Sequence, residues 1–442
     1  MLDDSAEGPD ARLNPHAPAE ADPQRPLTKE RTVEFRCRSL SAFGGRSHPP
    51  AIVVGCGVTA LGVLRCLGGA GIPTFYLPEQ RGLACRSRWA RPVHAGSPIL
   101  SAERSLRDVL LESPVHEAVL IPCSDSALRR VARLHGEMAE RFRSCLPSDG
   151  TIDTFVDKRR FAAFLRAENL PHPRTVEVER ESCLDGLDDD IFETAFFKPR
   201  DSQRFFARYG AKAFRMGNRE NARFLLRRFL EAGLSVVLQE YIPGPASSHL
   251  FLDGFVDRSG RITHLLTRRR IRMYPEDFGN STVCETVRPE SVQSAVDDLR
   301  RALAAIAYRG IFSAEMKRDA RDGTYRFLEV NARAWWYVGF ADDCGVNVCE
   351  AAYLDAQSLD VAPAPSPPAG IRLVYPSQDL AALRFERQRQ RSGSSSPAPS
   401  TGAWFKPWLG ARQPIWRLDD PIPAVWSLGK WAGARMHRIH VP

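Results

Sequence analysis

The chain has 442 residues, 43% hydrophobic and 26% charged, a balance that supports two or three globular domains with a sizeable core. Collagen-like, coiled-coil and wholly disordered chains are excluded. The net charge of +8 is unevenly spread, at −1 over 1–50, +2 over 51–362 and +7 over 363–442, so the body carries no large basic surplus for nucleic acid.

Residues 1–48 are rich in Pro, Ala and charge without periodicity and read as a disordered arm. Asp3, Asp4 and Glu7 with no apolar run after them do not make a secretory leader. No stretch approaches the roughly 18 apolar residues of a membrane span. Ten cysteines occur without a C-x-x-C pair, so reduced thiols in the cytosol are expected and a zinc site is not.

Order is expected from Ala51-Ile-Val-Val-Gly55, a buried-strand pattern ending in Gly55-Cys56-Gly57. A helix over 58–70, a strand over 73–77, a helix over 105–112, a strand over 118–122 and a helix over 124–140 follow. That alternation means a parallel sheet covered by helices, an α/β domain over 49–150. Gly55-Cys56-Gly57-Val-Thr-Ala-Leu-Gly62 lacks the spacing of a dinucleotide fingerprint, and no acidic residue stands where the ribose would need it. NAD is not expected, although so tight a turn can contact an acceptor substrate.

Between 151 and 360 the texture changes. A helix over 157–168 runs into the breaker Leu170-Pro-His-Pro173. A strand over 194–198, a polar and aromatic loop over 201–209 and a partner strand over 212–216 come next. A helix over 219–232 precedes an apolar strand over 235–242. Beyond Pro243-Gly244-Pro245 lie strands over 249–256 and 262–268, an alternating run to 273 and a helix over 291–308. Strands over 311–317 and 325–331 pair across Asp322-Gly323, a hairpin signal. Residues 361–402, rich in Pro and Ser at both ends, read as a linker, and 403–442 as a basic tail with five of the eight Trp.

The hairpin carries the chemistry. Glu315 and Glu329 lie on its facing strands, and a period of two puts Glu329, Asn331 and Arg333 on one strand face. Two carboxylates and an amide suit Mg²⁺, which takes a few carboxylates plus phosphate and water. Arg333 then belongs near a terminal phosphate. A solvated surface hairpin is the competing reading.

Lysine is rare, since 54 of the 61 basic residues are Arg, and so each Lys is informative. Lys198 ends the apolar strand Ala195-Phe-Phe-Lys198, a costly place unless an anion meets it. Lys158 and Lys212 are weaker candidates of the same kind. Gln239-Glu240-Tyr241-Ile242, at the end of an apolar strand, can read an adenine edge and wall the base. Arg268, Arg270 and Arg272 fall on one strand face and serve either as an anion clamp or as a solvated face. Trp335-Trp336-Tyr337 is either core or the wall of an acceptor pocket, in a loop with Gly339.

In this order, Asp157-Lys158, Lys198, Gln239-Glu240-Tyr241-Ile242-Pro-Gly244, Glu315 and Glu329-Val-Asn331-Ala-Arg333 resemble the site of the ATP-grasp superfamily, over about 51–360. The 49–150 domain then resembles the pre-ATP-grasp domain of carbamoyl-phosphate synthase large subunits and D-alanine–D-alanine ligases. Residues 151–360 resemble an ATP-grasp domain of two α+β subdomains. The similarity is nearest to carboxylate–amine ligase-like members, which have an Arg-rich strand before Tyr-Pro, here Arg268 to Pro275.

The resemblance implies ATP and Mg²⁺ as cofactors, with Mn²⁺ an admissible replacement. It puts Lys158 and Lys198 on phosphates, with Lys212 in the same nucleotide set. It puts 239–242 on adenine and Glu315, Glu329 and Asn331 on the metal. Arg333, Arg270 and Arg272 are the expected catalytic cations. Two departures stand out. Ala246-Ser247-Ser248 replaces the acidic residue that usually meets the ribose, and the loop over 201–210 is Arg-rich where the family is often Gly-rich.

The expected activity joins a small-molecule carboxylate to an amine through an acyl phosphate, releasing ADP and phosphate, in a cytoplasmic enzyme compatible with homo-oligomers. The alternative is a catalytically inactive ATP-binding module with a regulatory or scaffold role. A nucleic-acid partner is not expected. The tail is either a peripheral contact with anionic lipid or a segment docked on the protein's own body.

Overall fold

The computed structural model describes residues 48–93, 99–101, 104–200, 205, 208–392 and 400–439, without the side chains of 431–439. The expected N-terminal arm (except His48) and most of the 201–209 loop lie outside them. The chain divides into two compact units, one running Ser47–Pro173 and Ile242–Pro442, the other described over Arg174–Tyr241.

The larger unit starts with β1 (Ala51–Gly55), α1 (Gly57–Gly69), β2 (Thr74–Pro78), β3 (Arg91–Pro92), α2 (Leu106–Leu111), β4 (Ala118–Pro122), α3 (Asp125–Ala132), α4 (Glu137–Arg141) and β5 (Phe142–Arg143). The strands form a parallel sheet in the order β3-β2-β1-β4-β5. Every residue of β1 is buried, as both faces of a parallel sheet are covered. The helix expected over 124–140 is two, because Gly136 at φ +56° breaks it before α4. α5 (Asp149–Val156) and α6 (Lys158–Ala167) follow, and Asp157 caps α6 by accepting from the amides of Arg159 and Arg160.

The smaller unit holds β6 (Thr175–Val178), α7 (Asp190–Thr194), β7 (Ala195–Pro199), β8 (Phe214–Arg215), α8 (Arg219–Glu231) and β9 (Val236–Glu240). Its four strands pair antiparallel in the order β6-β9-β7-β8. One sheet face closes on α8 through Phe197, Leu238, Leu226 and Phe229. The strand expected over 212–216 is only β8, so Lys212 is an exposed residue of the preceding turn.

The larger unit resumes with β10 (His249–Val256), β11 (Ile262–Tyr274), β12 (Asn280–Thr286), α9 (Gln293–Ala305), β13 (Gly310–Arg318), β14 (Tyr325–Asn331), α10 (Val338–Asp343) and α11 (Val348–Ala356). The two stretches over 262–273 are one strand, and the expected loop at Gly339 is α10. Beyond them lie β15 (Arg372–Val374), α12 (Pro376–Arg391), α13 (Thr401–Phe405) and α14 (Ile422–Ile439). The expected linker over 361–402 therefore contains a strand and a 16-residue helix whose Asp379 is fully buried. No helix among the described residues is long and apolar enough to cross a membrane.

Six strands of this part form an antiparallel sheet in the order β14-β13-β10-β11-β12-β15. Its apolar face, with Leu250, Leu252, Ala314, Met316 and Val330, packs on Phe155, Phe161, Leu299 and Leu303 of α5, α6 and α9. The opposite face begins apolar at Phe255, Leu266 and Cys284, which share one core with α1, α10 and α11. α1 approaches α10 so closely that a Cβ on Gly62 would lie 2.8 Å from Val338 Cγ1. That shared core crosses the boundary expected near 150.

Candidate active site

Further along, the second sheet face turns polar. Residues directly opposite in an antiparallel ladder project to the same side, and Glu315 stands opposite Glu329, with Ser313 opposite Asn331. An extra residue, Leu328, bulges between the pairs Glu315–Glu329 and Met316–Phe327 and sets this phase. Two carboxylates so placed repel unless cations join them. Lys158 Nζ lies 2.8 Å from Glu329 Oε2. Glu315 Oε1 accepts from His249 Nδ1 at 2.8 Å and from Arg270 Nη2 at 3.1 Å.

Burial pushes the His249 pKa below its ordinary value, against the hydrogen bond that its ring makes to Glu315. Burial also presses Arg270 downward, and Glu315 opposes that. Next along the same face, Arg268 Nε meets Asp253 Oδ2 at 2.6 Å, and Ser313 donates to Asp253 Oδ1 at 2.6 Å. The guanidinium carbons of Arg268 and Arg270 lie 4.0 and 5.1 Å from the centre of the Phe251 ring. A carboxylate for each and one aromatic ring let these arginines sit side by side in the interior.

Arg272 does not join them. The β11–β12 register slips, with Arg270 opposite Cys284 but Arg272 opposite Val283. The guanidinium of Arg272 therefore meets Asp379, at 2.9 and 2.6 Å. Asp379 also accepts from Thr282 Oγ1 at 2.6 Å, Trp404 Nε1 at 2.9 Å and Trp408 Nε1 at 2.8 Å. The expected single face of Arg268, Arg270 and Arg272 thus loses Arg272 to a buried junction that holds the start of the C-terminal segment.

Arg333 lies beyond the end of β14, and its Nε donates to Asp125 Oδ1 at 2.6 Å. Burial works against its charge, but Asp125, and Glu329 with it, raise the pKa above the ordinary value. Asp125 opens α3 at the carboxyl end of β4, and Ser124 Oγ beside it donates to Glu79 Oε2 at 2.5 Å. Arg333 therefore links the hairpin to the carboxyl ends of the parallel strands. In open α/β sheets that edge, where β1 leads to β2 on one side and neighbours β4 on the other, is where ligands bind. Trp335 and Tyr337 are buried in the core shared with α1.

Lys198 and Gln239 fall on one face of the smaller unit's sheet, and Glu240 falls in the opposite phase. Lys198 Nζ lies 3.5 Å from Gln239 Oε1, and Gln239 Nε2 donates to Thr175 Oγ1 at 3.1 Å. Glu240 accepts from the Arg174 amide at 2.9 Å. The Arg215 guanidinium stacks 4.2 Å from the Tyr241 ring centre. Ile242 opens the second segment of the larger unit and is buried there.

Sequence reasoning missed His249, Asp253 and Asp125. His249 and Asp253 lie in phase with Phe251 on β10, a signal visible only once β10 is known to lie between β11 and β13. Among the described residues no group of three or more His, Cys, Asp and Glu gathers as metal ligands. The donor set at the hairpin is two carboxylates with an amide on the same face, which suits Mg²⁺ held together with phosphate and water.

No family model matches the chain. It is 26% identical over 225 residues to D-aspartate ligase of Enterococcus faecium (strain Aus0004), a match covering 49% of this chain and 53% of that protein. The chain thus spans about half the length of this curated relative. Its structure resembles carboxyaminoimidazole ribonucleotide synthase of Aspergillus clavatus, solved with ATP, at a TM-score of 0.56 and 16% identity over 77% of this chain and 86% of that one. It resembles L-amino acid ligase of Bacillus licheniformis at a TM-score of 0.50 and 15% identity, over 71% and 75% of the two chains. The chain has the ATP-grasp fold of carboxylate–amine ligase-like proteins.

Proposed function

We propose that the chain is an ATP-dependent ligase that joins a small carboxylate to an amine through an acyl phosphate. The observation that carries this reading is the facing pair Glu315 and Glu329, with Asn331 on the same face, held by Lys158, His249 and Arg270. An amino acid as one or both substrates is supported by the likeness to an aspartate ligase and an amino acid ligase.

In the reaction, a carboxylate oxygen of the first substrate forms a bond to the γ-phosphorus of ATP, and ADP leaves. The amine nitrogen then attacks the acyl carbon, phosphate departs with the bonding electrons, and the nitrogen loses a proton. Such chemistry needs positioning and charge neutralisation more than a covalent nucleophile. Glu315, Glu329 and Asn331 would hold Mg²⁺, which when bound neutralises charge on the transferred phosphate.

Arg270 is fixed by Glu315 and by Ser281, whose Oγ accepts from Nε at 3.0 Å, so it meets an anion without reorganising. Lys158 shares Glu329 and supplies a second cation on that face. Arg333, fixed by Asp125, supplies charge where the parallel strands end. Lys198 and Lys212 are assigned to phosphate, and Gln239, Glu240, Tyr241 and Ile242 to adenine.

The test is an amino-acid and dipeptide screen for ADP release, with Glu329→Gln as control. ADP release by the wild type that the variant lacks supports the proposal. Equal release from both removes the site assignment, and ATP binding without release from any pair favours a non-catalytic module.

A further inference from the structure

Beyond the Asp379 junction, the C-terminal segment is pinned a second time and is apolar on its outside. Arg65 of α1, itself buried, donates to Asp420 Oδ2 at 2.9 Å and to the carbonyls of Pro414, Ile415 and Asp420 at 3.2, 2.9 and 2.8 Å. Asp420 also accepts from Ser87 Oγ at 2.7 Å and the Arg88 amide at 2.9 Å. This buried junction fixes the start of α14, whose Ala424 is buried.

The other side of the segment has no cover among the described residues. Trp416, Leu418, Ile422, Val425 and Leu428 are 44%, 88%, 57%, 59% and 62% exposed. On α14 the last three recur every third residue, a stripe about 120° wide. From Pro421 to Ile439 the sequence contains Lys430, Arg435 and Arg438 and no acidic residue. Lys430 Nζ sits 4.6 Å from the centre of the Trp426 ring, a pairing of cation and interfacial aromatic.

We propose that α14 with the segment before it is a docking face for an anionic lipid surface, on which the helix lies in the plane of the headgroups. An amphipathic helix whose sequence has tryptophan, three basic residues and no acidic one matches that boundary. Charge also selects this occupant over a second copy of the chain, because pairing two such helices would bring like charges together. This inference does not depend on the ligase reading.

The test is co-sedimentation of the full chain with phosphatidylserine–phosphatidylcholine vesicles and with phosphatidylcholine vesicles, at low and high salt. Expected is binding to the anionic vesicles alone that weakens with salt. The double variant V425D/L428D and, separately, Lys430→Glu should each lower binding roughly tenfold. Both change exposed positions, and a thermal midpoint equal to the wild type confirms that the fold is kept. The proposal is overturned if the wild type stays in the supernatant with anionic vesicles, or if V425D/L428D binds like the wild type. It is also overturned if the free protein is a dimer that this double variant makes monomeric, since the face then belongs to a second copy.

Discussion

Glu315 and Glu329 face each other across the β13–β14 ladder, and each meets its own cation: Arg270 of β11, with His249 of β10 beside it, on one side, and Lys158 at the start of α6 on the other. Directly opposed like charges cost up to about 1 kcal/mol, and the pair of Glu329 with the buried Lys158 offsets this on the Glu329 side. Glu329→Gln removes both terms. We expect its thermal midpoint to stay close to the wild type while ADP release falls roughly 100-fold or more. Loss of activity with a large drop in midpoint would instead make Glu329 a structural residue.

Arg270 and Arg272 should separate in their effects. Arg270 touches Glu315, whereas Arg272 is spent on Asp379. Arg270→Ala should lower kcat roughly 100-fold at modest cost in KM. Arg272→Ala leaves a buried carboxylate short of its cation, and should lower the thermal midpoint while kcat per folded molecule stays near the wild type. Steady-state kinetics beside thermal denaturation reads both. The reverse pattern would restore Arg272 to the catalytic set.

Asp379 is the stronger test of the C-terminal junction. It is fully buried and accepts from Arg272, Thr282, Trp404 and Trp408. Removing one partner of a buried ion pair costs about 3–5 kcal/mol. Asp379→Ala should therefore destabilise by about that amount in urea denaturation, whereas a segment that merely hangs on the body would show almost no change.

These residues also mark where the sequence was legible. The parallel strands read clearly because β1 and β4 are continuous apolar runs between glycine and polar breakers. The hairpin read clearly because Glu315 and Glu329 fall in two strands joined by a short turn. Arg272 misled because a bulge changes strand phase without leaving a signal in the residue types. The 361–402 stretch misled because most of its Pro and Ser flank α12, which itself starts at Pro376-Ser377, while Asp379 reads as a surface aspartate until Trp404 and Trp408 are folded onto it. His249 and Asp125 depended on strand order and long-range contact, which no local pattern encodes.

The acidic cluster under the C-terminal segment gives a pH signature. Burial, then Asp343, pushes the Asp342 carboxyl up to about 6, while Arg417 Nη1 at 3.9 Å pulls the other way. An unfolded aspartate titrates near 3.9. Between about pH 4 and 6 the folded protein therefore holds more protons at this residue than the unfolded chain, so its contribution to stability falls as pH rises. The full loss is about 3 kcal/mol at the most. Asp342→Asn cannot ionise and should lack that loss. The stability difference, variant minus wild type, should be near zero at pH 4 and grow to favour the variant by pH 7. A difference that is constant with pH in urea denaturation would mean that Arg417 already holds Asp342 ionised at pH 4.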